Sequence, residues 1–219
     1  MSHPLIPEHQ RRIRLKFRLL AYFYDSFDLP FIFDRRTNPR LVLAHKVPNA
    51  PLSVLDVCVG TAIGSMAVAE ANPKNRITGI DLSLDMLALA QEKIRRRGLR
   101  NVSLRQMDAA NMQFGESAFD VVMVSFGMHE LGEDLMLSVL KEMNRVLRKG
   151  GKLLVMDYAR QGGRWANFFF SLYLRVFEPR HIFRFLEYDW NEILSKSGFK
   201  IAEAESSFFA MVISATKVN

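Results

Sequence analysis

Residues 53 to 70 read S-V-L-D-V-C-V-G-T-A-I-G-S-M-A-V-A-E, and the rest of the chain is arranged around them. A run of β-branched and apolar residues reaches an acid, passes through a glycine-bearing turn and enters a helix-forming segment. This is the sequence form of a strand, a tight loop and a helix N-terminus. In open α/β sheets a nucleotide-like ligand sits at such a place, against backbone N–H groups.

Outward from this stretch the pattern alternates. Strand one spans about 53–59 and a helix about 62–71; strand two spans about 76–81. Ser83 caps a helix to Arg97, with Gly98 as its stop. Strands three and four follow at about 102–106 and 119–124. A helix over 133–148 is read as ending at Gly150-Gly151, before strand five at 152–156. Near-continuous apolar strands separated by helices indicate an α/β fold with a parallel sheet buried on both faces. Asp189 caps a last helix to Lys196, and two strands close the chain at about 199–206 and 209–215. The tight spacing at Ser206-Ser207 makes those two an antiparallel hairpin.

Toward the N-terminus, residues 8–28 carry Ile13, Phe17, Leu20 and Tyr24 on one stripe and Arg11, Arg14 and Arg18 on another, which reads as a helix. Alternating arginine and leucine leave a strand open there. Asn38 and Pro39 start a short helix to Lys46. The chain divides into an N-terminal helical cap at 1–50 and a main domain at 51–219, with an aromatic insertion at 162–188.

With 219 residues, 49% of them apolar, the chain can build a sizeable core without cross-links. Cys58 is the only cysteine, which rules out an intramolecular disulfide and a cysteine-ligated metal. No metal site is expected. Neither a secretory leader nor a membrane span of roughly 20 apolar residues is evident, so a cytoplasmic protein in contact with membranes is expected. The net charge of +7 would attract a polyanion. Much of it lies in the N-terminal arm and in Arg95-Arg96-Arg97, where cations suit a helix end. The loop after strand four reads S-F-G-M, not N-P-P-Y, and no specific nucleic-acid partner is expected.

The loop itself separates the candidate ligands. A dinucleotide fingerprint needs Gly-x-Gly-x-x-Gly; its places here are Cys58, Gly60 and Ile63, and isoleucine would crowd the strand–helix contact. An acid followed by Gly-x-Gly-x-Gly, with places Asp56, Cys58, Gly60 and Ala62, resembles the loop of the class I S-adenosylmethionine-dependent methyltransferases. That cofactor carries no phosphates. On this reading the middle glycine lets the backbone approach the ligand, and the flanking places need only be small.

Further motifs carry the resemblance through Asp157. They are G-I-D-L-S around Asp81, Q-M-D-A-A around Asp108, V-V-M-V-S-F-G-M-H-E-L over 121–131 and L-R-K-G-G-K-L-L-V-M-D over 147–157. The resemblance implies a Rossmann-like, seven-stranded, mostly parallel sheet with helices on both faces and an antiparallel last strand. It implies S-adenosylmethionine as cofactor, with Asp56, Gly60 and Thr61 in the loop. Asp81 and Leu82 would lie at the ribose, Asp108 and Ala109 at the adenine, and Ser125 at the methionine end. Each acid alone could instead be a helix cap or a solvated turn.

Methyl transfer from a sulfonium rests mainly on alignment and water exclusion, and a base is needed only to generate the nucleophile. His129 is the first candidate base, with loop packing as its alternative. Tyr24 lies in Y-F-Y-D-S-F-D, which resembles the N-terminal motif of the ubiquinone/menaquinone C-methyltransferases and phospholipid N-methyltransferases. There a tyrosine lies over the cofactor; core packing is the alternative for Tyr24. The quinone group carries an arginine–asparagine pair where this chain has His129-Glu130.

The aromatic stretch 165–185, flanked by Arg164, Arg175, Arg180 and Arg184, is either core or a greasy cationic rim for a lipid surface. The expected acceptor is a hydrophobic small molecule, a quinone precursor or a lipid head group, with peripheral membrane contact. The alternatives are a catalytically silent S-adenosylmethionine-binding interaction protein and an NAD-dependent oxidoreductase.

Overall fold

The computed structural model describes residues 39–160, 163–207 and 209–218. The expected helix over residues 8–28, including Tyr24, and the Asn38 cap lie outside them.

A seven-stranded sheet runs in the order β3-β2-β1-β4-β5-β7-β6. Its strands are β1 (Ser53–Val57), β2 (Arg76–Asp81), β3 (Val102–Gln106), β4 (Phe119–Ser125), β5 (Leu147–Tyr158), β6 (Phe199–Ser207) and β7 (Ala210–Lys217). Five strands, β1 to β5, pair in parallel, and β7 runs antiparallel to both β5 and β6. The parallel centre is apolar through its thickness: Val54, Leu55, Val57, Val121, Val122, Met123, Val124, Leu153, Leu154 and Val155 are all buried. The helices are α1 (Pro39–Lys46), α2 (Ile63–Ala71), α3 (Leu84–Arg96), α4 (Glu133–Val146), α5 (Arg164–Phe177), α6 (Ile182–Phe185) and α7 (Trp190–Lys196), with a 3-10 turn at Met128–Glu130.

Local chemistry sets the helix starts. Ser83 Oγ accepts from the Met86 N–H at 3.3 Å, and Asp189 Oδ1 accepts from Asn191 and Glu192 N–H at 2.9 and 3.2 Å. These are two of the caps expected from sequence. Helix α1 belongs to the main core through buried Leu43 and Ala44, and Lys46 Nζ reaches Glu203 and Glu205 on the edge strand β6, each at 2.7 Å. A smaller cluster of Val59, Ala62, Met66, Leu87, Ala90 and Ile94 packs the loop after β1 against α2 and α3.

The Gly150-Gly151 pair does not end helix α4. The helix stops at Val146, and β5 begins at Leu147, well before Lys152. The pair instead bends the start of β5. Gly150 has φ +67°, and a Cβ on Gly151 would lie 2.6 Å from Leu147 Cδ1 and 2.8 Å from the Arg148 carbonyl oxygen. The β4–β5 register shifts at the same point, between Phe119 and Val121.

Candidate active site

The strand order reverses between β1 and β4: from β1 the chain steps outward to β2 and β3, and from β4 to β5. Ligands in open α/β sheets bind at the carboxyl ends of the strands at such a point. The expected site residues gather there. Asp56 is in β1, Asp81 ends β2, Ser125 ends β4, and Asp108 follows β3. The Met107 N–H donates to the Asp81 carbonyl at 3.0 Å, which draws the end of β3 onto the end of β2.

The convergence is electrostatically visible at Cys58. Burial pushes its thiol up, and the charges of Asp81, Asp56, Asp108 and Asp157 push it further. One thiol thus feels carboxylates from four strand ends and stays protonated; it is not a nucleophile.

The loop between β1 and α2 has an unusual backbone. Cys58, Gly60 and Ala62 all have positive φ, at +56°, +53° and +62°. The three alternating places therefore call for left-handed backbone, the reason glycine suits them. Smallness alone is not the requirement, which corrects the reading from sequence. Cysteine and alanine hold this geometry against a cost of about 1–2 kcal/mol each. Cys58 is accommodated because Gly127 leaves room: a Cβ there would lie 2.8 Å from Cys58 Cβ.

Close helix–strand packing is supplied by Gly64, next to Ile63. A Cβ on Gly64 would lie 2.8 Å from Ser125 Oγ, so the first turn of α2 sits against the ends of β1 and β4. Gly64 and Ser65 were missed from sequence because the helix pattern beginning at Ala62 absorbed them. Ser65 Oγ donates to Asp56 Oδ2 at 2.6 Å.

Asp56 is buried, and its other oxygen, Oδ1, has no hydrogen-bond partner among the described residues. Burial raises this carboxyl to about 7; the Ser65 hydrogen bond opposes the shift and the Asp81 charge adds to it. An orphaned, buried carboxylate oxygen suits a cationic or N–H donor from a ligand. Asp81 accepts the Gly60 N–H on Oδ2 at 2.8 Å and the Ser83 N–H on Oδ1 at 2.9 Å. Its oxygens each keep a second lone pair, which can accept ribose hydroxyls while the loop stays anchored. Burial also raises Asp81, against the hydrogen bonds it accepts. Asp108 Oδ1 accepts the Ala110 N–H at 2.9 Å; Ala109 is half-buried beside it, Leu82 is half-buried, and Thr61 is buried in the loop.

This arrangement fits S-adenosylmethionine and does not fit a pyrophosphate. The N–H groups of Val59, Gly60 and Ala62 are spent on Ile80 O, Asp81 and Val59 O, and four carboxylates set a negative field. Above Gly60 a Cβ would meet nothing within 4 Å, so the backbone is open to a ligand there. Asp56, Asp81, Asp108 and Ser125 could hold the cofactor's ammonium, ribose, adenine and methionine ends.

His129 sits in the 3-10 turn after β4 and is buried. Its Nδ1 lies 2.7 Å from Asp157 Oδ1, and its Nε2 faces Glu178 Oε2 at 3.3 Å and Glu130 Oε1 at 3.8 Å. Asp157 Oδ2 also accepts the backbone N–H groups of Met128 and His129 at 3.0 and 3.2 Å. Burial alone would lower the imidazole; the Asp157 and Glu178 carboxylates outweigh it and hold His129 well above its ordinary 6.5. The Tyr158 hydroxyl donates to Glu178 at 3.1 Å, and the Tyr158 ring packs on His129 and Phe126 at 4.8 and 5.1 Å between centroids. Asp157 closed a quoted motif without a role assigned to it, and Tyr158, Glu178 and His181, whose Nε2 bonds to the His129 carbonyl at 2.8 Å, carried no sequence signal of their own. They are brought to His129 by β5 and by the return of the chain after α5. The His129, Glu130 and Glu178 ligand atoms lie within 4.8 Å of one another; they could hold a cation only if the imidazole surrendered its Nε2 proton.

Comparison with known proteins bears on the family and the fold. A family model described as a methyltransferase domain matches residues 54–151. The chain is 31% identical over 170 residues to a demethylmenaquinone methyltransferase of Alkalihalophilus pseudofirmus, covering 76% of this chain and 71% of that one. Among solved structures, a SAM-dependent methyltransferase from Aquifex aeolicus superposes with a TM-score of 0.66 at 21% identity, covering 98% of this chain and 100% of that one. The cyclase SpnF superposes with a TM-score of 0.74 at 20% identity and 99% coverage of both. The likenesses to solved structures establish the fold; the curated relative and the motif set establish more. The chain belongs to the class I S-adenosylmethionine-dependent methyltransferases and resembles the menaquinone group among them.

Proposed function

We propose that the chain methylates a hydrophobic small molecule of quinol or lipid-like character. The observation that carries this reading is the buried His129–Asp157 pair, with Tyr158 and Phe185 against the imidazole and Phe126 packed on Tyr158, beside the carboxyls of Asp56, Asp81 and Asp108. The similarity to a demethylmenaquinone methyltransferase supports a ring acceptor.

When bound, S-adenosylmethionine supplies an electrophilic methyl on a sulfonium. Asp81, Asp108 and the open backbone at Gly60 would hold and orient it, and the unpartnered Asp56 oxygen would receive its ammonium. Against burial, the Asp157 and Glu178 carboxylates hold His129 as an imidazolium near neutral pH. Its role as base belongs to the neutral form reached at higher pH, in which Nε2 would take the proton from the acceptor hydroxyl and Asp157 on Nδ1 with Glu178 beside Nε2 would stabilise the imidazolium formed. An arginine, as in the quinone group, keeps its proton throughout; an imidazole can lose and regain it. The aromatic wall excludes water from the aligned methyl and acceptor. Tyr24 would join the cofactor only by the resemblance of its Y-D motif.

The test is turnover with S-adenosylmethionine and, separately, reduced demethylmenaquinone and phosphatidylethanolamine, read by mass spectrometry. One added methyl on either acceptor, with S-adenosylhomocysteine formed in equal amount, is the expected outcome. Cofactor binding by calorimetry without methyl transfer to either acceptor would overturn the acceptor class; rearranged, unmethylated product would indicate chemistry of the kind named for SpnF.

A further inference from the structure

Helix α5 is apolar on both faces, and among the described residues only one of them is covered. Phe170, Tyr173 and Leu174 turn inward: Leu174 is fully buried, and Phe170 packs on Tyr158 and stacks on Phe209 at 5.8 and 4.3 Å. Trp165, Phe168, Phe169, Leu172 and Val176, at helical spacing, form the other stripe. They are 75, 58, 64, 53 and 66% exposed, where a surface helix ordinarily carries polar side chains. A contiguous apolar stripe of this kind marks a binding surface.

We propose that this face of α5 docks on an anionic membrane surface, the helix lying in the plane of the interface. Three observations select that partner. The helix contains no acidic residue, and Arg164, Arg175 and Arg180 are exposed at its two ends. Arg184 does not belong to this rim, because Glu133 holds it at 2.6 Å. Arginine beside an anionic surface adds about fivefold in affinity per residue, and Trp165 at the helix start is the residue type that seats in the headgroup region.

The second observation is length. A helix of 14 residues spans about 21 Å, and no described helix is long and apolar enough to cross a membrane. It suits lying on the surface and not spanning it. The third is position. The inner face of α5 touches Tyr158, which packs on His129, so one helix thickness separates the docking face from the proposed acceptor site. The inference stands on exposure and charge, and goes beyond the acceptor reading.

Flotation of the full-length chain with phosphatidylcholine vesicles, with and without phosphatidylglycerol, tests it. The expected result is co-flotation with the anionic vesicles and about a tenfold or greater loss of binding in a Phe168→Asp/Phe169→Asp variant. A Trp190→Phe background isolates Trp165, whose fluorescence should shift to the blue and be quenched by brominated lipid. Because the substituted side chains face outward, S-adenosylmethionine affinity and melting temperature should match the parent, which separates lost docking from lost fold and from a failed cofactor assignment. No flotation with anionic vesicles, or unquenched Trp165, would overturn the proposal. So would a dimer in sedimentation that the double variant dissociates, since a second copy would then cover the face.

Discussion

Asp56 shows how one side chain links the loop to its ligand. A carboxylate with one oxygen on Ser65 and the other orphaned in the interior is held near 7 by burial. Its folded value lies above the unfolded one, so the sign runs opposite to a salt-bridged carboxylate. Destabilisation grows as the pH rises from about 4 through about 7, reaching at most on the order of 4 kcal/mol. A ligand ammonium at Oδ1 reverses the shift. S-Adenosylmethionine binding at about pH 6 should therefore release about one proton, seen as a binding heat that varies with buffer ionisation enthalpy. Asp56→Asn should abolish the release and weaken binding by about tenfold or more; a buffer-independent heat in the parent protein would refute the pairing. Asp56, Asp81 and Asp108 were legible in the sequence because each lies at or just after a strand, in a motif that resembles those of the methyltransferase family. That one Asp56 oxygen would be left without a partner was not legible, since it depends on where Ser65 turns.

Between β1 and α2, and again at the start of β5, the backbone makes demands that residue type only partly reveals. Positive φ at Cys58 and Ala62 is hidden by the side chains that occupy those places. Gly64 and Gly151 matter through neighbours supplied by other segments or by a local fold-back. Gly151 gives a sharp test because its missing Cβ faces backbone, the Arg148 carbonyl oxygen at 2.8 Å. Gly151→Ala should lower stability by about 1–3 kcal/mol in denaturant unfolding. Gly115→Ala, where a Cβ meets nothing within 4 Å, should change it by less than about 0.5 kcal/mol. Equal effects would mean that the bend at β5 yields freely. The Gly-Gly pair was read as a helix stop because that is its commonest use after an amphipathic run. Val146 ends the helix earlier, since Leu147 leaves it in extended conformation to pair with Phe119.

The molecule as a unit is closed around His129. Asp157 from β5 accepts Nδ1 and three backbone N–H groups, of Met128, His129 and Tyr158, while Glu178 after α5 meets Nε2. This buried centre joins the β4 turn, the sheet and the aromatic helix. Asp157→Ala strands those donors and should cost about 3–5 kcal/mol, lowering the melting temperature by roughly 10 °C in a chain of this size. The imidazolium contributes stability that is fully present below the unfolded value of about 6.5 and is lost as the pH rises through the higher folded value. A His129→Gln variant should lack that pH dependence, and an imidazole NMR titration of the parent should give a midpoint above 6.5. A midpoint at or below 6.5 would remove the basis for this account.

The succession of strands and helices followed from short-range pattern: apolar runs of strand length with capped helices between them suffice for an α/β fold with a parallel sheet, because period and capping are local properties of the chain. The seven-stranded sheet with its reversed last strand was implied by the family resemblance, and the order of its strands came only from the tertiary structure. Long-range packing alone settled which faces of α5 are covered, that Asp157 and Glu178 close on His129, and that the loop N–H groups are spent internally. The partners in each case are separated by tens of residues in sequence. Burial turns their proximity into shifted protonation, and no local pattern encodes which of them will meet.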